Sequence, residues 1–331
     1  MIDNSGHENK TRPILLVALG GNAMIGKGER GTIEEQFKNL SVPIGQVARL
    51  SKKYRIIITH GNGPQVGDLL IQQECCPEIP RHPLEILVAQ TQGQIGYMIE
   101  STLDNEFTEM QGEHENLIVT VLTYVLVDEN DPAFSRPSKP IGPVFNEDFA
   151  SRLPYPTIKT HGGIRRVVAS PKPITIIEKR EIRRLIDMGF IVIACGGGGI
   201  PVVRHGRAFH GIDAVIDKDL ASAKLAEEVG ADVLVIATDV EGAAISYGTP
   251  DERFLREMTV EQGERYIREG HFPAGSMGPK IEATIQFIKS GGKRALICSI
   301  NSIEEATAGN AGTEVLMQSR AQICRPPQVG Q

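Results

Sequence analysis

Six apolar residues, Ile14-Leu15-Leu16-Val17-Ala18-Leu19, stop at Gly20-Gly21-Asn22-Ala23, and Tyr54 to Thr59 (YRIIIT) repeats the pattern before Gly61-Asn62-Gly63-Pro64-Gln65-Val66-Gly67. An apolar run that does not alternate and is closed by glycine reads as a strand buried on both faces, which is how strands of a parallel sheet look. Between the two runs Ile33 to Lys52 carries apolar residues at helical spacing, and Gln65 to Gln73 and Leu84 to Leu103 do so after the second. Leu117 to Val127 predicts another strand. Further on, helices at Glu178–Met188, Leu220–Val229, Val260–Glu269 and Ile281–Lys289 alternate with strands at Phe190–Cys195, Asp232–Ala237 and Arg294–Ser299. Repeated βα units of this kind predict an α/β fold, a parallel sheet covered on both faces by helices.

The one break in this rhythm is the Pro-rich stretch from about Asp128 to Pro173, read as an excursion forming a small lid with a hairpin of its own. Met1 to Arg12 is polar, without the apolar segment of a signal peptide, and reads as a flexible extension; residues 319–331 read as a tail. The 331 residues contain no apolar run long enough to span a membrane. With 35 Lys and Arg against 41 Asp and Glu, the net charge of −6 argues against a nucleic-acid or anionic-membrane partner. Five cysteines without metal-ligand spacing predict free thiols and a reducing, cytoplasmic setting. The 35 glycines and the absence of tryptophan place the weight on backbone geometry.

In an open α/β sheet, ligands bind beyond the carboxyl ends of the strands. Three of the strands here run into Gly20-Gly21-Asn22, Gly61-Asn62-Gly63 and Gly196-Gly197-Gly198-Gly199. Bare-backbone turns expose amides that bind anions, helped by the positive end of a following helix, although glycine in a βα turn also serves tight packing alone. None of the three turns is a GxGxxG fingerprint, and the P-loop signature GxxxxGK[ST] is absent. Phosphoryl transfer needs cations where charge gathers, and three lysines stand in suitable loop contexts. Lys218 lies in Asp217-Lys218-Asp219 ahead of a helix; Asp219 serves either as the N-cap of that helix or in the chemistry. Lys280, after Gly278-Pro279, begins a helix whose dipole opposes a cation unless an anion binds beside it. Lys139 sits in the excursion, with Arg165 and Arg166 later in the same segment; each of these three also fits an ordinary surface charge. The histidines show no HExxH and no clustering, and His60 reads equally as a structural hydrogen-bonder or a ligand.

Taken together, Leu19 to Ala23, Gly61 to Gly67, Ser138-Lys139-Pro140-Ile141-Gly142-Pro143, Gly196 to Pro201, Ile216 to Asp219 and Phe272 to Lys280 resemble carbamate kinase, within the wider amino acid kinase superfamily. The resemblance runs from about Ile14 to Met317. It implies a three-layer αβα sandwich around a mostly parallel sheet of about eight strands with a protruding lid, over residues 13–318. It also implies a homodimer and reversible transfer of phosphate between ATP and carbamate, with carbamoyl phosphate as the product. By matching position, Lys139, Lys218, Asp219 and Lys280 take the catalytic roles. Gly20, Gly21, Asn22, Gly61, Asn62 and Gly63 cradle the phosphoryl group and small substrate. Gly196, Gly197, Thr238, Asp239, Val240, Tyr247, Met277 and Gly278 bind the nucleotide, with Mg²⁺ bridging its phosphates and no metal site of the protein's own. Many superfamily members carry a lysine where this chain has Ala18, and the resemblance implies that Lys218 takes over that role. The alternatives are a kinase of the same fold acting on another small carboxylate or phosphate, and a non-catalytic nucleotide-binding regulator.

Overall fold

The computed structural model describes residues 11–318 except 27, 77, 111–116, 151–152, 161–162 and 274. The expected N-terminal extension, apart from Thr11 and Arg12, and the 319–331 tail with Cys324 lie outside the described residues. The strands, in chain order, begin with β1 (Ile14–Leu19), β2 (Arg55–His60), β3 (Ile118–Thr120) and β4 (Tyr124–Leu126). The lid segment supplies β5 (Lys139–Phe145), β6 (Thr157–Thr160) and β7 (Gly163–Val168), and β8 (Thr175–Ile176) comes after it. Next come β9 (Ile191–Ile193), β10 (Ile200–His205), β11 (Ala208–Gly211) and β12 (Val233–Thr238). The chain ends with β13 (Ala244–Ile245), β14 (Arg253–Phe254), β15 (Glu257–Thr259), β16 (Arg294–Ser299) and β17 (Thr313–Leu316). The central sheet runs β15-β17-β16-β12-β1-β2-β9-β3. It is parallel throughout except between β16 and β17, so β15 and β17 form a reversed pair at one edge.

Three layers result from the alternation of side chains along β1. Ile14, Leu16 and Ala18 pack to one side with residues of α5 (Lys179–Asp187), α6 (Lys218–Val229), α7 (Val260–Arg268) and α8 (Met277–Lys289). Leu15, Val17 and Leu19 pack to the other with α1 (Ile33–Leu50), α3 (Leu84–Glu109) and α9 (Ile303–Thr307). Every residue of β1 and β12 is buried, which is why both read as unbroken apolar runs. The start of α1 is written locally: Thr32 and Glu35 form a reciprocal capping box.

Several expectations are corrected. The single strand expected at Leu117–Val127 is two: β3 joins the central sheet, whereas β4 joins a second sheet of order β11-β10-β4-β8. The chain changes sheets at Thr123, whose N–H donates to Gln92 Oε1 at 3.0 Å while its carbonyl accepts from Gln92 Nε2 and from the N–H of Ile200. The lid's expected hairpin is present as β6 and β7, and β5 extends it to a three-stranded antiparallel sheet, β5-β7-β6, with the short α4 (Glu147–Ala150) between β5 and β6. It rests on α2 (Gly63–Glu74), where a Cβ on Gly67 would stand 1.8 Å from the Cα of Gly142. The backbones of helix and lid therefore touch, and Gly142, at φ +69°, holds a left-handed turn there. Arg166 of the lid pairs with Glu74 at the far end of α2, 2.9 Å away.

Candidate active site

Strands β12, β1, β2 and β9 lie side by side and run the same way, so their carboxyl ends open on one edge. That edge carries, in turn, Thr238-Asp239, Gly20-Gly21, Gly61-Asn62-Gly63 and Gly196 to Gly199. The turns are in mutual contact: a Cβ on Gly197 would fall 2.2 Å from Asn62 Nδ2, and one on Gly196 would fall 2.4 Å from His60 Nε2. Gly197, Gly198 and Gly199 all have positive φ, a conformation glycine adopts freely. Beyond the edge lies a cavity of about 290 Å³, roofed by Lys139, Pro140 and Arg165 of the lid. Two helices present their N-termini to it without a side-chain cap, α2 at Gly63-Pro64 and α8 behind Ser276. Each start turns the positive end of a helix dipole toward the cavity, which favours an anion there, although Pro64 and Pro279 carry no N–H and the Gly278 N–H is already bonded to the Pro273 carbonyl.

Around the cavity four cations, Lys139, Arg165, Lys218 and Lys280, face three carboxylates, Asp217, Asp219 and Asp239. Asp219 stands between two of the lysines, with Oδ1 2.7 Å from Lys218 Nζ and Oδ2 accepting from Lys280 Nζ at 2.9 Å. Lys218 Nζ also donates to the carbonyl of Ala18 in β1 at 3.1 Å, so an ammonium from α6 reaches the strand position from which Ala18 itself offers none. The first turn of α6 is fixed from beneath: Ser222 Oγ donates to the Lys218 carbonyl at 2.5 Å and meets Thr59 Oγ1 at 2.6 Å. Asp217 accepts the N–H groups of Asp219 and Leu220 through Oδ1 at 2.9 and 3.3 Å, and Lys139 of the lid donates to its Oδ2.

The electrostatics result from burial opposed by charge. Burial pulls the Lys218 ammonium down to about 8, with Asp219 resisting and Lys280 adding to the fall. Lys280 is likewise pulled down by burial, but Asp219, with Asp217 and Asp239 behind it, outweighs this and leaves it above the ordinary lysine value. For Asp219 burial favours the neutral acid, yet Lys218 and Lys280 prevail and hold the carboxyl well below the usual carboxylate range. His60 is pushed down by burial to about 4 and stays neutral, its Nδ1 3.1 Å from the Gly61 carbonyl. It braces two glycine turns and supplies no charge. Cys195, in a left-handed conformation before Gly196, is fully buried and its thiol is pushed up by burial, so it packs and does not react.

Of the residues singled out by sequence, Gly20, Gly21, Gly61, Asn62, Gly63, Lys139, Gly197, Lys218, Asp219, Thr238, Asp239 and Lys280 line this one cavity. Gly196, Val240, Tyr247, Met277 and Gly278 do not, and Tyr247 is exposed to solvent. The backbone of Asn22 lies in the short helical turn Gly21–Ala23. Two helix starts are corrected. Asp219 does not cap α6: the helix begins at Lys218 with Asp217 as its N-cap. Helix α8 begins at Met277, so Lys280 lies one turn inside it, and the opposing dipole is offset by Asp219 at 2.9 Å. The residue missed by sequence reasoning is Asp217. Its signal is an Asp just before a helix, hidden because the polar Lys218 and Asp219 give no apolar periodicity and the pattern starts the helix only at Leu220.

A parallel α/β sheet with lysines gathered at glycine turns belongs to a recognised class. The chain is a member of the amino acid kinase family, whose family model matches residues 13–299. It is 48% identical to the carbamate kinase of Thermococcus kodakarensis over 314 residues, 92% of this chain and 99% of that protein. It is 47% identical to the carbamate kinase of Pyrococcus horikoshii over 310 residues, covering 91% of this chain and 98% of that one. A solved structure of Giardia lamblia carbamate kinase bound to AMP-PNP superposes with a TM-score of 0.85 at 39% identity, over 93% of this chain and 99% of the other. Within the amino acid kinase family, the chain belongs with the carbamate kinases.

Proposed function

We infer that this chain is a carbamate kinase in activity as well as in family, transferring a phosphoryl group reversibly between ATP and carbamate. The observation that carries this reading is the Lys218–Asp219–Lys280 cluster set against the glycine turns at one sheet edge. Carbamoyl phosphate is small and anionic, and its transferring phosphoryl group spreads charge over oxygens that cations and backbone amides stabilise. In this reading Lys218 and Lys280 meet the phosphoryl oxygens, Asp219 holds the two ammoniums at their spacing, and Lys139 closes over the group from the lid. Gly20, Gly21, Asn22, Gly61, Asn62 and Gly63 supply the cradle.

The lysines and glycine turns that line the cavity serve the small substrate and the transferring phosphates. The remainder of ATP then extends over the surface from Thr238 and Asp239 toward Val240 and Tyr247, past Met277, Gly278 and the Gly196-Gly197 turn. Among the described residues no three His, Cys, Asp or Glu side chains converge on a metal position. This donor set fits Mg²⁺ carried in on the nucleotide's phosphates, where it would neutralise their charge.

No described helix is long and apolar enough to cross a membrane, and the four cysteines among the described residues are free thiols, which fits a reducing cytoplasm. A homodimer is the assembly the resemblance implies; the exposed apolar side chains Val42 of α1 and Tyr97 of α3 are surfaces for it. The test of the activity is a coupled assay. Purified protein with MgADP and carbamoyl phosphate forms ATP, and absence of ATP formation overturns the reading. Sedimentation measures the dimer.

A further inference from the structure

Asp217 does two things with its two oxygens, and only one of them needs a charge. Through Oδ1 it caps α6, accepting the N–H groups of Asp219 and Leu220. A neutral Asn or Ser caps a helix about as well as Asp. Through Oδ2 it binds Lys139, a lysine of the lid strand β5, so the pair joins lid and body across the mouth of the cavity. A carboxylate in a site built from cations, amides and uncapped helix N-termini works against anion binding there. Asp219 is engaged by Lys218 and Lys280, and Lys139 pairs with Asp217. The Lys139–Asp217 pair is only partly buried on the lysine's side, its side chains 27% and 13% exposed, so Lys139 is reached from the cavity and an incoming dianion is able to exchange with the carboxylate.

We propose that Asp217 is a positioning residue that occupies the phosphoryl site through Lys139: its carboxylate stands in for a phosphoryl oxygen while the site is free and is displaced when phosphate enters. Holding Lys139 in place keeps the lid cation oriented toward the cavity, at the cost of weaker anion binding. The proposal rests on the assignment of this cavity as the phosphoryl site, but its primary test requires no turnover.

The test is titration calorimetry of the full chain with inorganic phosphate. Asp217→Asn keeps a capping oxygen and removes the charge, and it binds phosphate about tenfold more tightly than the parent chain, since Lys139 no longer has to give up a carboxylate to meet the phosphate. Asp217→Ser, also a neutral cap, gives a gain in the same direction and serves if the Asn variant fails to fold. In a Lys139→Ala background the gain from Asp217→Asn shrinks to less than about twofold, because the effect runs through Lys139. Kinetically, the KM for carbamoyl phosphate falls in Asp217→Asn while kcat does not rise. A purely capping role predicts unaltered phosphate affinity in Asp217→Asn. That result, or a gain that persists without Lys139, overturns the proposal. A parent chain that binds phosphate but forms no ATP counts against the proposed activity and leaves the role of Asp217 standing.

Discussion

Asp219→Asn is the sharpest test of the lysine arrangement, because it preserves shape and removes one charge. Its carboxylate oxygens lie 2.7 Å from Lys218 and 2.9 Å from Lys280. At an effective dielectric constant near 20, each contact corresponds to roughly 6 kcal/mol of gross attraction. Attraction of that size explains why Asp219 remains ionised despite burial. Without it two buried ammoniums face each other with their shared counter-ion gone. Lys218, already drawn down to about 8 with Asp219 supporting it, then falls further. At pH 7.5 the site loses one cation's stabilisation of the transferring phosphoryl group, about 3 kcal/mol, on the order of a hundredfold in kcat. The assay is ATP formation from MgADP and carbamoyl phosphate across pH, with circular dichroism to establish that the variant is folded. Two results are expected together: the hundredfold loss, and a shift of the alkaline limb of the rate profile to lower pH. A folded variant within about threefold of the parent, with its limb unmoved, refutes the idea that Asp219 keeps these lysines charged.

For the parent chain, kcat/KM declines above a pH of about 8 as Lys218 loses its proton, while Lys280, held above the ordinary lysine value, contributes no limb there; a profile flat to pH 10 contradicts this. Stability moves in the opposite sense: a lysine whose folded value is lowered to about 8 destabilises the fold below that pH, and the cost lifts as pH rises toward its ordinary value, 10.5. Lys280→Ala retains the fold and loses at least about a hundredfold in turnover; undiminished turnover removes Lys280 from the chemistry. Gly67→Ala forces a Cβ to within 1.8 Å of the Gly142 backbone, where no flexible side chain is available to yield. It costs on the order of 3 kcal/mol, the upper end for overpacking, read as a lowered denaturation midpoint together with a raised KM as α2 and the lid part.

The sequence exposes most clearly whatever a continuous stretch can carry. Ile14–Leu19 and Arg294–Ser299 are strands to the residue, because strands buried on both faces need only apolar side chains between their ends. The glycine turns are legible for a related reason: nothing else lets the chain come as close as Gly67 does to the Gly142 backbone or Gly197 to the Asn62 side chain. Legibility fails where a tertiary contact decides. No periodicity marks the change of sheet at Thr123, since Gln92, on a different helix, fixes it. The hairpin Ile200–His205 and Ala208–Gly211 escapes sequence reading because its strands are short and its second strand is exposed throughout. Helix α6 starts two residues before its first apolar residue, and those two are the lysine and aspartate of the site. The start is obscured because function has claimed the positions where amphipathic pattern would have shown it.

The cavity's charge balance explains why the site needs acids at all. Four cations alone around one small cavity would repel one another and, buried as Lys218 is, would shed protons in place of holding a phosphate. Asp219 prevents this for the two most buried lysines, and it does so through contacts on the side of α6 and α8, leaving the glycine edge unobstructed. Asp217 is the carboxylate paired with the lid lysine. With Asp239 the lining stands at four positive against three negative side chains, close to neutral before substrate arrives. In the proposed reading the remaining anion affinity comes from the backbone: from the positive ends of α2 and α8 and from those glycine-turn amides that are not bonded within the fold, as those of Gly20, Gly61, Gly198 and Gly199 are. A site that must release a phosphorylated product in either direction is better served by this arrangement than by a large net charge. The excess of glycine in the chain and the scarcity of free lysine charge in the site are therefore two consequences of one electrostatic requirement.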